Sequence, residues 1–491
     1  MAVSGKKKSA PRRSTTPVLT ARVNARVALE ASADGTVVAR FEDGYRQGFG
    51  KFSAAALKRL PELKAGLPLA SIAKASAANQ DVDGLLRRLA RSGLLEYRFG
   101  PEDGDSLIVI EPQVADYWPA MPKIGDSETV VLSRFAYLRR RGGELVMESA
   151  RAGALFRISD PKFAAVLATL SQPQKISQLR REPGFAGLEL LALLVDCQIL
   201  IKLKSGDHEG SRTSEGDDNL VLWDFHDLLF HTRSNEGRQA NPIGGLYSYA
   251  RLMPPPPAVR PRWVGPTINL ETELASPSPF AQLLHQRQSA RDFDDNNPIT
   301  LAELAKLLLI AARVRGHWTS EAEVEEGLPE VSYATRPYPS AGAAYELELY
   351  LTVNNCTGLG RGFYHYDAER HALTSIEVKP HQLDQQLAAA EFAMDAPNVP
   401  QILITIAARF DRVSWKYSSV AYALVLKNVG VLLQTLYLAA TDNGLGGCAI
   451  GTNNIDLFSD MTGLEFHIEG PVGQFALGRV YKAGPADSHP G

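Results

Sequence analysis

Cysteine is scarce. The 491 residues hold only 3, Cys197, Cys356 and Cys448, far apart and with no CxxC pair. So small and odd a set implies neither a disulfide framework nor a zinc site, and no metal site is expected. A reducing, cytoplasmic setting suits it. Neither sign of charge dominates: 52 Lys plus Arg face 55 Asp plus Glu, a net charge of -3. That balance argues against a dedicated nucleic-acid binder. No long apolar run is free of polar groups. The longest stretch, 420–440, carries Lys427, Asn428 and Gln434, which are costly in a bilayer, so a buried helix is expected there and no membrane partner. The start of the protein has no apolar signal segment. Neither a Walker A loop nor a GxGxxG fingerprint following a strand is present.

What is present is unevenly spread. Residues 1–100 hold 18 Lys plus Arg against 8 Asp plus Glu, so this part can attract an acidic peptide, a phosphate or a nucleic acid. Residues 1–18 read as a disordered basic tail. Over 19–100, strands are expected at Val23–Leu29 and Thr36–Phe41. Helices are expected at Ala54–Leu60, Leu69–Ala75 and Val82–Ser92, the last stopping at Gly93, before a strand Leu94–Phe99. A second copy of this order runs through 129–205, with strands Val130–Leu138 and Leu145–Ser149, helices Pro161–Leu170, Ile176–Arg181 and Leu188–Asp196, and a strand Gln198–Lys204. The stretches beginning at Leu86 and Leu191 occupy matching places, so two tandem winged-helix-like domains are expected. Residues 206–265, polar at first and then carrying four prolines at 254–257, read as a linker and extended connector. The remaining 266–491 read as a mixed α+β domain. It has strands at Leu347–Val353, Ile402–Ala407 and Pro471–Val480, a helix Leu301–Ala312 opened by a Thr300/Glu303 capping box, and a long helix Ala421–Asp442.

Five short clusters in this last domain could carry chemistry. Arg287, Ser289 and Arg291 follow a helix as RxSxR, and arginine forks suit phosphate oxygens; alone, the pattern also fits a solvated helix end. Pro339, Ser340 and Gly342 form a stiff loop able to approach a flat ligand, or an ordinary turn. Leu445, Gly446, Ile450 and Gly451 lie in a glycine-rich segment after the C-terminus of the long helix, with more glycines than a helix stop needs and with amides that could meet a ring edge. Arg479, in a Leu-Gly-Arg triplet, is either a second phosphate ligand or a surface residue. Lys416 and Tyr417 stand between a buried strand and the long helix. A lysine desolvated beside an aromatic wall can accept a proton near neutrality, whereas a lysine on the surface only snorkels.

The order of these clusters, RxSxRxF, PSAG, KY, long helix, GLGGCAIG, LGR, resembles the nitroreductase-like flavoprotein superfamily, and more narrowly the SagB/ThcOx-type dehydrogenases of ribosomal-peptide biosynthesis. The stretches from Leu424 to Leu438 and from Trp223 to Ser234 strengthen the resemblance, which spans roughly 220–491. It implies a homodimer with FMN between subunits. Arg287, Ser289, Arg291 and Arg479 would meet the phosphate and ribityl group. Pro339, Ser340 and Gly342 would come from the partner subunit. Leu445, Gly446, Ile450 and Gly451 would lie near the flavin N5 edge, and Gln434 would be a further contact. It also implies that Lys416 is the base and Tyr417 the proton relay in oxidising a thiazoline or oxazoline of a precursor peptide to the azole. The azoline would come from a cyclodehydratase partner, and the winged helices would hold a leader peptide. One departure is that no arginine follows the Lys-Tyr pair, where the sequence is Ser418-Ser419-Val420-Ala421-Tyr422. The competing readings are an NAD(P)H-fed reductase of nitro or enone groups, a flavin-sensing DNA-binding regulator, and a peptide scaffold without catalysis.

Overall fold

The computed structural model describes residues 17–481 except 26, 42–44, 73–76, 102–105, 186, 204–214, 216, 237–249, 263, 271–277 and 322–329. Nearly all of the basic tail and much of the linker expected at 206–265 therefore lie outside the described residues. The protein forms two compact units, one ending at Val221 and one that takes Leu222–Glu236 together with everything from Asn241 onward.

The N-terminal unit is mostly strands and short helices, and it repeats one pairing scheme. In the first copy, strand Pro17–Val23 pairs with the two-residue strand Leu67–Pro68 and with Leu95–Pro101. In the second, Thr129–Leu132 pairs with Gln174–Lys175 and with Leu200–Lys202. The helices Ala54–Lys58, Leu60–Ala65 and Ala77–Arg91 of one copy answer to Pro161–Thr169, Ile176–Leu179 and Leu188–Asp196 of the other. The third helix ends the same way in both. Gly93 and Gln198 have positive φ (65° and 55°), and the following amides reach back five residues, Leu94 N to Leu89 O at 3.0 Å and Ile199 N to Leu194 O at 2.9 Å. This is a Schellman stop, made once by glycine and once by a glutamine that takes the left-handed conformation.

Two expected strands are each broken. Val23–Leu29 divides at Asn24, whose carbonyl accepts the Val27 amide at 3.0 Å. Val130–Leu138 divides at Ser133, whose hydroxyl is spent on Glu215 at 2.7 Å. Alternating apolar residues mark both sides of such a turn, so the pattern alone runs through it.

In the C-terminal unit a six-stranded sheet has the order 372–376, 362–367, 347–353, 402–409, 469–478, 446–450, every pair antiparallel. Its central strand Ile402–Arg409 is buried over seven of its eight residues, which is why it reads as a continuous apolar run. The long helix Ala421–Asp442 packs beside strands 446–450 and 469–478 and buries Val425, Val429, Leu432, Leu436 and Ala439. Its length and composition would suffice to cross a membrane. Here it is a core helix, with Asn428 buried against polar partners. The helix Leu301–Ala311 opens with the expected capping box: Glu303 N donates to Thr300 Oγ1 at 3.3 Å and Thr300 N to Glu303 Oε2 at 2.9 Å.

The glycine-rich segment after the long helix is not a loop. Gly446–Ile450 is an edge strand paired with 469–478. A Cβ on Gly446 would collide with Val480 and Ala290, and one on Gly447 with the Phe475 ring. These two glycines answer to packing, a demand sequence reading cannot distinguish from close approach to a ligand.

Candidate functional site

Two clusters emerge, on different elements of the C-terminal unit. The first is built around the edge strand. The helix Pro279–Gln286 ends at Arg287, whose backbone is extended (φ -60°, ψ 123°). The backbone then runs alongside the strand, with Ala290 N donating to Gly447 O at 2.9 Å and Ser289 bridging to Gly447. Tyr437 of the long helix locks this arrangement. Its hydroxyl lies 2.9 Å from Ser289 Oγ and accepts the Ala449 amide at 2.8 Å. The Arg287 guanidinium sits over its ring, 5.1 Å from the centroid. Arg287 is partly buried, while Ser289 and Arg291 are exposed. Two guanidinium groups and a hydroxyl are thus presented from one anchored segment. Gly451, at the end of the strand, is exposed and has open space where a side chain would be.

Arg479 does not join this set. Its guanidinium holds Glu303 through two contacts (2.7 and 2.6 Å) and donates to Asn297 O at 3.0 Å. The arginine lowers the Glu303 pKa to about 2, because an adjacent positive charge favours the carboxylate. Gln434 is exposed on the long helix, whereas Leu445 and Ile450 are buried and face the core.

The second cluster joins the proline–serine loop to the Lys-Tyr pair. Gly342 has φ 57°, and a Cβ there would strike the Tyr417 hydroxyl and ring. The phenol of Tyr417 therefore packs with its hydroxyl end against the loop at Gly342. The loop is held by polar groups: Ser340 Oγ donates to Glu346 Oε2 at 3.2 Å and accepts the Tyr345 amide at 3.0 Å. Asn428 of the long helix accepts from Ala341 N (3.1 Å) and donates to Glu346 Oε1 (2.9 Å). Glu346 is fully buried, and burial raises its pKa. Lys416 is exposed, its ammonium 5.9 Å from the Tyr333 ring centroid and 5.7 Å from that of Tyr417. The desolvating wall expected around Lys416 is absent among the described residues.

Sequence reading singled out Lys416 and Tyr417 but not what sets their turn. Ser419 has φ 59°, and its amide donates to Asp224 Oδ2 at 2.7 Å. Asp224 opens the helix Phe225–Arg233, which is anchored through buried aromatics. Trp223 Nε1 donates to His467 O at 2.8 Å, its ring packs on Phe410 at 4.6 Å, and His231 Nδ1 lies 3.1 Å from the Tyr422 hydroxyl. The only sequence sign was the unusual Trp-Asp-Phe-His run. Tyr437 and Glu346 were likewise missed, one hidden in an apolar helix pattern and the other at a strand start.

Comparison with known proteins agrees with this architecture. Residues 284–479 match the nitroreductase family model, and this part of the protein is a nitroreductase-family domain. Residues 130–240 match the model of cyanobactin oxidase ThcOx. The two matches together give the protein a ThcOx-like segment followed by a nitroreductase-family domain. A Methanocaldococcus jannaschii protein described as a nitroreductase is 29% identical over 188 residues, covering 38% of the present protein and 86% of its own length. Similar solved structures include the E. coli microcin synthetase McbBCD complex with truncated pro-MccB17 bound. It is 20% identical, with 57% of the present protein and 100% of the matched one covered and a TM-score of 0.38. Another is a protein described as a nitroreductase, in complex with FMN, from Desulfovibrio desulfuricans. It is 15% identical, with 44% and 94% covered and a TM-score of 0.27.

Proposed function

We propose that this protein is an FMN-dependent dehydrogenase that oxidises thiazoline or oxazoline rings of a ribosomally made peptide to the aromatic azoles. The observation that carries the reading is Tyr417 lying on Gly342 with Lys416 beside it, inside a nitroreductase-family domain. The ThcOx match ahead of that domain supports an oxidase over a reductase.

The residues present fit FMN. Arg287, Ser289 and Arg291 offer the donors a phosphate and ribityl group require, and Gly451 leaves room for a flat ring system. When bound, FMN supplies the acceptor for one hydrogen and its electron pair. Lys416 takes the other hydrogen from the ring carbon as a proton. Tyr417, fixed over the loop, orients the ring and passes the proton on. Aromaticity of the product drives the reaction. Completing the site falls to a second copy of the protein, which would also desolvate Lys416. The exposed apolar side chains Leu252, Met253, Val259 and Val264 of the connector, with Ile268 and Leu270 just after it, are suited to such a homodimer.

In this reading the two N-terminal copies are winged-helix units that hold a leader peptide, a cyclodehydratase supplies the azoline, and the protein works in the cytoplasm. The DNA-binding alternative is disfavoured by how the arginines of Ala77–Arg91 are used. Arg87 stacks on Trp118 at 3.7 Å, Arg88 donates to Phe49 O at 2.6 Å, and Arg91 pairs with Asp116 at 3.1 Å. The test is an absorbance spectrum of the purified protein, followed by anaerobic mixing with an azoline peptide. Bleaching of the flavin is expected. Bleaching by NADPH but not by the azoline would replace this reading with the reductase.

A further inference from the structure

A cavity of about 340 Å³ opens in the C-terminal unit between the hairpin strand Glu330–Thr335, the end of the proline–serine loop and the end of the central strand. It adjoins the Lys-Tyr pair. Tyr333, whose ring faces the Lys416 ammonium, forms one wall, and Ala344 and Tyr345, just past Gly342, form another.

The charges lining it are unequally paired. Arg336 is tied to Glu348 (3.5 Å), which also meets His365 (3.3 Å). Asp367 holds Arg370 (3.0 Å), and Glu369 faces His317 (3.7 Å). Two lining arginines are left over. Arg412 donates only to carbonyls, of Ala344 (3.3 Å) and Ser332 (3.2 Å). These bonds fix its position without neutralising it. Arg409 is exposed at the end of the central strand, opposite Glu469 of the neighbouring strand, on whose carboxyl its charge acts without a close contact. Among the described residues neither forms an ion pair.

We propose that this cavity binds a carboxylate of the peptide substrate, an acidic side chain or the peptide's own C-terminus close to the ring being oxidised, with Arg409 and Arg412 as its anchors. The inference rests on the peptide-dehydrogenase reading. A single negative charge fits better than a phosphate dianion, because Glu348, Asp367 and Glu369 line the remaining wall. The aromatic walls suit the peptide backbone and side chain that bear the carboxylate. The anchor would sit one aromatic ring away from Lys416 and set which ring of the peptide is presented.

The test uses the full-length, flavin-loaded protein and labelled azole peptides, so that binding is read by fluorescence anisotropy without turnover. One pair of peptides carries Asp or Asn beside the azole, and a second pair ends in a free carboxylate or an amide close to it. At least one acidic form is expected to bind about tenfold tighter than its neutral partner, and the pair that shows it identifies the source of the carboxylate. The preference should shrink as salt is raised. Arg409→Gln should remove most of it and Arg409→Lys should retain it, with the flavin spectrum unchanged. Arg412→Gln is the less clean variant, since it also frees two carbonyls. Equal affinity within both pairs, or a preference that survives Arg409→Gln, overturns the proposal. So does displacement of the acidic peptides by NADPH, which would assign the arginines to a nucleotide. A peptide that binds with this preference yet never bleaches the flavin defeats the dehydrogenase reading and leaves the cavity assignment standing.

Discussion

The segment Arg287–Arg291 and the turn Lys416–Ser419 stand in the same domain but are held in opposite ways. The first is stitched along an edge strand by backbone bonds, and Tyr437 fastens it to the long helix. Its donors are in place before any ligand arrives, as expected of a group that binds one ligand tightly. In the turn the amides of Lys416 and Tyr417 donate to Val413 O (3.1 and 2.9 Å), and one carboxylate, Asp224, reaches the left-handed serine from a separate helix. Its two chemical side chains rest on a loop and on solvent. Under the proposed function, binding falls to the first part and chemistry to the second, and removing each should give a different deficit.

The sharpest separation is expected from Lys416→Gln. Azoline oxidation should fall by about 10²–10⁴-fold with flavin content unchanged, as read by single-turnover bleaching. A loss of flavin instead would erase the contrast between the two parts. Arg291→Ala should do the reverse, weakening FMN by about 10–100-fold through loss of a charge-assisted contact, measured by titrating the apoprotein. Asp224→Asn removes the charge on the Ser419 amide acceptor. It should slow oxidation by about 3- to 10-fold and leave FMN affinity untouched. The smallest effect belongs to Glu303. Its folded-state pKa, about 2, is below its ordinary 4.5 because of Arg479. The pair therefore stabilises the fold above pH 4.5, and the contribution is lost as pH falls toward 2. The pair is partly exposed, so Glu303→Gln should cost no more than about 1 kcal/mol at pH 7. It should also flatten the pH dependence of denaturant unfolding in that window.

The sequence was a good guide wherever local rules decide. The capping box at Thr300, the strand Leu347–Val353 and the helix Ala421–Asp442 were legible because caps and periodicity act within a few residues. The hairpin Gly316–Glu321 with Glu330–Thr335 and the strands 362–367 and 372–376 were passed over. Polar residues interrupt their alternation, and their pairing is settled by neighbours in the sheet. The packing demand on the glycines at 446 and 447 was not legible, since what they accommodate, Phe475 and Ala290, is distant in sequence.

By itself the sequence determined the caps and the strongly periodic elements, such as the Thr300 capping box, the strand Leu347–Val353 and the long helix Ala421–Asp442. Only the tertiary structure decided that Arg479 serves Glu303, that Asp224 and Tyr437 hold the two halves of the site, and that Arg409 and Arg412 line a cavity outside any ion pair among the described residues. Propensity, capping and periodicity are properties of neighbouring residues, whereas the partner of a charge or hydroxyl is chosen by which elements the sheet brings together, and that choice is made across the whole domain at once.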